Sequence, residues 1–196
     1  GPEAVRLQAF TFERLVIGQI METQGAAKGL TPLEHYLAVI ADKTGSLIAA
    51  SARYGGMISG ASSDVIESLT KFGEAMGAVF QLADDIIDIA SDSKESGKTP
   101  GTDLREGVPT LVTLHVLESK DKNDEELKKI LSGPIKDEVV VNQVIKTLRT
   151  HRAMDQSREV IKRYAEESRK HLADLPSGKA KDALISLSDA VVSRTS

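Results

Sequence analysis

A chain of 196 residues with no cysteine, no tryptophan and a formal net charge of −4 is long enough for one hydrophobic core, so a single domain over residues 1–196 is expected. The composition excludes disulfides and thiolate metal sites, which fits a reducing, cytoplasmic setting, and it offers no basic footprint for nucleic acid. No apolar run reaches the roughly 18–20 residues of a membrane span.

The chain starts at Gly1-Pro2-Glu3 without a Met, which reads as a fusion scar or the edge of a trimmed chain. From about Glu3 to Thr23, the residues Phe12, Leu15, Val16, Gln19 and Ile20 recur at helical spacing. That spacing puts Gln19 on the apolar face, with Glu22 one turn beyond, and a buried Gln needs a partner. Thr31-Pro32-Leu33-Glu34 is a capping box with Pro at the first helical position. The helix it opens places Leu33, Tyr36, Leu37, Ile40, Leu47 and Ile48 on one face. Lys43 lies three residues after Ile40 and four before Leu47, so its ammonium is aimed into that stripe or snorkels to its edge. Gly55-Gly56 and Gly60 are expected to break the pattern, and Ser62-Ser63-Asp64 to cap the next helix, which runs to about Ser91. Gly73 and Gly77 inside it each cost about 1 kcal/mol relative to Ala. They are expected to admit either a ligand at a cavity wall or a tightly packed helix.

That helix ends in Phe80-Gln81-Leu82-Ala83-Asp84-Asp85-Ile86-Ile87-Asp88. At about 100° per residue, Gly77, Gln81, Asp84/Asp85 and Asp88 share one stripe. Asp84 and Asp88 are a like-charge pair costing roughly 0.2–0.5 kcal/mol, and they approach the negative end of the helix dipole. A hard divalent cation offsets both penalties, because carboxylate oxygens, retained waters and phosphates are what Mg²⁺ prefers; a solvated acidic turn is the alternative.

A polar loop comes next, with Gly97-Lys98 and Gly101-Thr102-Asp103. Beyond it come a helix from about Pro109 to Ser119 and a charge run, Lys120 to Lys129, read as a solvated turn and helix start with no metal role. Gly133-Pro134 stops that short helix. Val139 to Leu148 reads as a helix, as do Met154 to Leu175, closed by Pro176 and Gly178, and Lys179 to Ser193. His35, His115, His151 and His171 are isolated in sequence and read as ordinary surface or boundary residues. With no strand pair, the fold class is all-α.

Phe80-Gln81-x-x-Asp84-Asp85-x-x-Asp88, followed by Gly97-Lys98-x-x-Gly101-x-Asp103-Leu104, resembles the second aspartate-rich motif and its loop in the trans-polyprenyl diphosphate synthases. The resemblance implies an antiparallel helical bundle of the isoprenoid synthase type, incomplete here at the N-terminus. It implies Mg²⁺-dependent condensation of isopentenyl diphosphate with an allylic diphosphate. On that model Asp84 is a direct metal ligand, with Asp85 and Asp88 acting mainly through bound waters. Lys43 and Lys98 bind the allylic diphosphate, Gln19 lines the cavity below it, and Thr44 and Gln81 face the developing carbocation. A homodimer is implied, a heteromer is an alternative, and a long isoprenoid product could bring the protein to a membrane surface.

The sequence departs from the family's pattern in places. It has one aspartate-rich motif where the family has two, and it lacks the Gly-Gly-Lys segment and the Arg-Arg pair; Glu13, Glu22 and Glu34 read as isolated acids. Val108 stands where the family often has Lys. The chain alone is therefore expected to be inactive, the full-length protein being the synthase. A non-catalytic subunit of a heteromeric synthase and a terpene cyclase are the competing readings.

Overall fold

The computed structural model describes residues 1–26, 29–90 and 99–195. Every regular element among them is helical, which bears out the all-α expectation. No helix among the described residues is long and apolar enough to cross a membrane. The chain forms two compact units: Gly1–Gln81 with Lys162–Ser193, and Leu82–Ile161 with the residues from Arg194 onwards.

The first unit opens with helix α1 (Pro2–Gln24). Its inward face is Leu7, Thr11, Arg14 and Gly18 at alternating three- and four-residue steps, with Thr11 and Gly18 buried. The Phe12, Val16 and Ile20 stripe is instead exposed, and Gln19 with it. This corrects the expectation of a buried Gln19: small and polar residues let α1 lie close to its neighbours, and the bulkier stripe points away. Helix α2 (Pro32–Ile40) begins at the expected capping box, in which the Thr31 side chain accepts from the Glu34 N–H and Glu34 accepts from the Thr31 N–H.

Helix α2 continues without a break through a π-helical turn, Ala41–Gly45, into α3 (Ser46–Ile58). A π turn accommodates an extra residue, so α3 is rotated relative to an uninterrupted α-helix. Leu47 and Ile48 consequently face solvent rather than joining Ile40 in the core. Helix α3 also runs through Gly55-Gly56 and stops only where Gly60 takes a left-handed φ of 72°.

Helix α4 (Ser63–Ala90) contributes its first part to this unit. An added Cβ on Gly73 would lie 2.6 Å from the Ala49 Cα, and one on Gly77 would lie 2.6 Å from the Gly45 Cα. These glycines therefore serve close backbone packing against α3 and the π turn, not a cavity wall. The unit is completed by the end of α9 (Arg152–Lys170) and by α10 (Lys179–Ser193), whose Ser168 and Ser188 hydroxyls meet in the interior at 3.3 Å.

In the second unit the end of α4 is accompanied by α5 (Thr102–Glu106), α6 (Leu111–Leu117), a 3₁₀ turn (Lys122–Asp124), α7 (Glu125–Ile130), α8 (Glu138–Thr150) and the start of α9. Leu82, Ile86, Ile89, Leu111, Val112, Val116, Val141, Leu148 and Met154 are fully buried. Asp137 caps α8 by accepting from the Val139 and Val140 N–H groups. Arg149 of that helix donates to the Ile89 carbonyl at 2.9 Å, satisfying an orphan acceptor near the end of α4. Part of the loop expected to be irregular is helical, because Gly101 (φ 78°) and Gly107 (φ 74°) bracket the short α5.

Candidate functional site

In the first unit the geometry centres on the π turn. Arg14 reaches it from α1, donating from Nε to Asp42 Oδ1 at 2.8 Å and from Nη2 to the Ala41 carbonyl at 3.1 Å, while its Nη1 bonds Glu74 of α4 at 2.6 Å. Partial burial works against the guanidinium, but the bonds to Asp42 and Glu74 outweigh it and hold its pKa above the usual value. The turn is thereby tied to two helices, and it presents two of the residues singled out in the sequence. Thr44 donates to Gln81 Oε1 at 3.2 Å, so these two are brought together. Lys43 does not point into an apolar stripe; its Nζ lies 2.6 Å from Glu22 Oε2. Gln19 donates to the same carboxylate oxygen at 3.1 Å. Glu22, isolated in the sequence, is thus the hub between two expected substrate contacts.

In the second unit Asp84 and Asp88 are half-buried, and Asp85 is buried. The Asp88 carboxylate accepts from the Thr102 N–H at 3.3 Å and the Asp103 N–H at 3.4 Å, and the Asp88 carbonyl accepts from the Gly101 N–H at 2.9 Å. The Gly101-Thr102-Asp103 turn therefore folds back onto the third aspartate, and the first turn of α5 faces a carboxylate, a favourable arrangement for exposed N–H groups. Gly101 is required there by its left-handed φ, and a Cβ would also crowd Ile145 Cδ1 at 2.8 Å. Lys98 lies outside the described residues.

Among the described residues no group of three or more His, Cys, Asp or Glu side chains could hold a metal ion by itself. The donor set on α4 still suits a hard cation. Two half-buried carboxylates four residues apart on one helix offer oxygen ligands only, and Mg²⁺ takes one or two such groups together with waters and phosphates.

The family model for polyprenyl synthetases matches residues 2–148. The chain belongs to this family. It is 46% identical over 194 residues to a nonaprenyl diphosphate synthase of Mycobacterium tuberculosis, covering 99% of this chain and 58% of that protein. It is 36% identical over 192 residues to a dimethylallyltranstransferase of the same organism, again covering 58% of the relative and 98% of this chain. Among solved structures, a geranylgeranyl pyrophosphate synthase from Corynebacterium glutamicum, complexed with calcium and isoprenyl diphosphate, superposes with a TM-score of 0.90 at 40% identity, over 100% of this chain and 60% of that one. The family's all-α fold is thus the fold of this chain, and the chain spans less than two thirds of the length of these relatives.

Proposed function

We propose that the protein carrying this chain is a prenyltransferase that lengthens an allylic diphosphate by condensation with isopentenyl diphosphate, releasing pyrophosphate. The observation that carries this reading is the Gln81-x-x-Asp84-Asp85-x-x-Asp88 run, with Asp88 bonded to the Gly101–Asp103 turn, in a chain that belongs to the polyprenyl synthetases. Mycobacterial relatives named as a nonaprenyl diphosphate synthase and a dimethylallyltranstransferase support it.

Asp84 would hold Mg²⁺ directly, with Asp85 and Asp88 contributing through water. When bound, the metal supplies positive charge against the departing pyrophosphate. Asp88, steadied by the Thr102 and Asp103 N–H groups, keeps its carboxylate in one orientation. Lys43 and Lys98 bind the diphosphate as point charges. Thr44, through its bond to Gln81, fixes the side-chain amide so that oxygen dipoles face developing positive charge without offering a reactive nucleophile.

The test is a mass-spectrometric assay of the protein carrying these residues, incubated with isopentenyl diphosphate, an allylic diphosphate and Mg²⁺. An elongated diphosphate is expected, with turnover falling by a factor of about 10² or more in Asp84→Ala while the fold is retained. A cyclised hydrocarbon with no elongated diphosphate would overturn the reading.

A further inference from the structure

The Lys43–Glu22 pair is not accounted for by stability. Both side chains are about one third exposed, 31% and 35%, and ion pairs that exposed contribute little to stability. Yet α1 is shaped around the lysine. A Cβ on Gly18 would lie 2.9 Å from Lys43 Cγ, 3.0 Å from Asp42 Cβ and 3.2 Å from the Lys43 nitrogen, so the lysine stem crosses the bare backbone of α1. One helical turn further along, Glu22 receives the ammonium, and Gln19 donates to the same carboxylate oxygen. The other end of the side chain is anchored because the π turn is held by Arg14.

We infer that Glu22 is a positioning residue for Lys43: it fixes the reach of the ammonium when no diphosphate is bound, and its charge weakens the grip on diphosphate so that pyrophosphate can leave. The inference rests on the reading of Lys43 as a diphosphate contact. An ammonium has three N–H donors, and Glu22 occupies one, leaving two for phosphate oxygens. A phosphate drawn to those donors lies within several ångströms of the carboxylate, where like charges repel even in a high dielectric. Gln in place of Glu22 keeps an oxygen to accept from Lys43 but carries no charge, so it removes both the repulsion of phosphate and the ionic part of the hold on the ammonium.

Calorimetric titration with inorganic pyrophosphate in Mg²⁺, on the protein carrying these residues, tests the assignment. Lys43→Met should weaken binding. Glu22→Gln should tighten it by roughly threefold or more, with an unchanged melting temperature, and should have no effect in the Lys43→Met background. Unchanged or weaker binding in Glu22→Gln, or the same tightening without the lysine, would overturn the role of Glu22 alone. A Lys43→Met variant that binds pyrophosphate as the parent does would overturn the reading of Lys43 itself and the inference with it.

Discussion

Asp124 ties together segments far apart in the sequence. Its Oδ1 lies 3.0 Å from His151 Nε2, its Oδ2 accepts from Arg152 Nη2 at 3.0 Å, and the Ser119 hydroxyl bonds the same oxygen. The Ala153 N–H donates to His151 Nδ1 at 3.1 Å, so the imidazole also caps the start of α9. The bond from Ser119, followed by that from His151, holds the Asp124 carboxyl down at about 2, against an ordinary 3.8. The folded-state value is the lower one, so the ionised carboxylate contributes stability above pH ~4 and loses it as the pH falls towards 2. We expect melting temperature to drop with acid over that window in the parent and to drop less steeply in Asp124→Asn, which should also melt lower at pH 7; parallel curves would show that the carboxylate contributes nothing there. Little of this is legible in the sequence. Asp124 sits in a Lys-rich run that reads as solvated, and no local spacing announces partners at 151 and 152. The aspartates at 84, 85 and 88 can be read because all of them lie on one helix, where sequence spacing is itself geometry.

At the scale of elements, the π turn and the glycines opposite it make a sharper test. Replacing a helix-interior Gly by Ala normally stabilises by about 0.5–1 kcal/mol. Gly55 of α3 has nothing within 4 Å of an added Cβ, and Gly55→Ala should obey that rule. Gly77→Ala should do the opposite, since its Cβ would lie 2.6 Å from the Gly45 Cα and 2.9 Å from the Gly45 nitrogen, and overpacking of this kind costs about 1–3 kcal/mol. Urea midpoints for the two variants should move in opposite directions; a stabilised Gly77→Ala would mean that the π turn does not press on α4 there. Caps carry local chemical signals, which is why Thr31 and Glu34 mark the start of α2 and why Lys179–Ser193 reads with its observed bounds. The π turn carries none. A periodicity of 100° per residue cannot register an extra residue, and so it puts Leu47 and Ile48 on the wrong side. Helix α1 misleads for a related reason: its inward face of Thr11, Arg14 and Gly18 has no hydrophobic signature, while its outward face does.

For the molecule as a whole, that outward face is a concentrated apolar exposure among the described residues. Val5, Phe10, Phe12, Val16, Ile17 and Ile20 are all exposed on α1, a concentration beyond the scattered single residues normal for a surface. Replacing Phe12 and Ile20 together by Ser should leave the chain's stability to denaturant within about 0.5 kcal/mol for each substitution while lowering binding of a hydrophobic dye. A large loss of stability would show that these side chains are packed in solution. The two compact units have a different kind of consequence. The first draws on Gly1–Gln81 and on Lys162–Ser193, with nearly the whole of the second encoded between them. At roughly 5–20 residues per second of synthesis, the nascent first unit waits on the order of ten seconds for its closing stretch. By the time Ile161 has left the ribosome, the second unit already has all but its last few residues. Within this chain, the unit whose opening stretch is made earlier must therefore wait for its closing stretch until nearly all of the other has been synthesised.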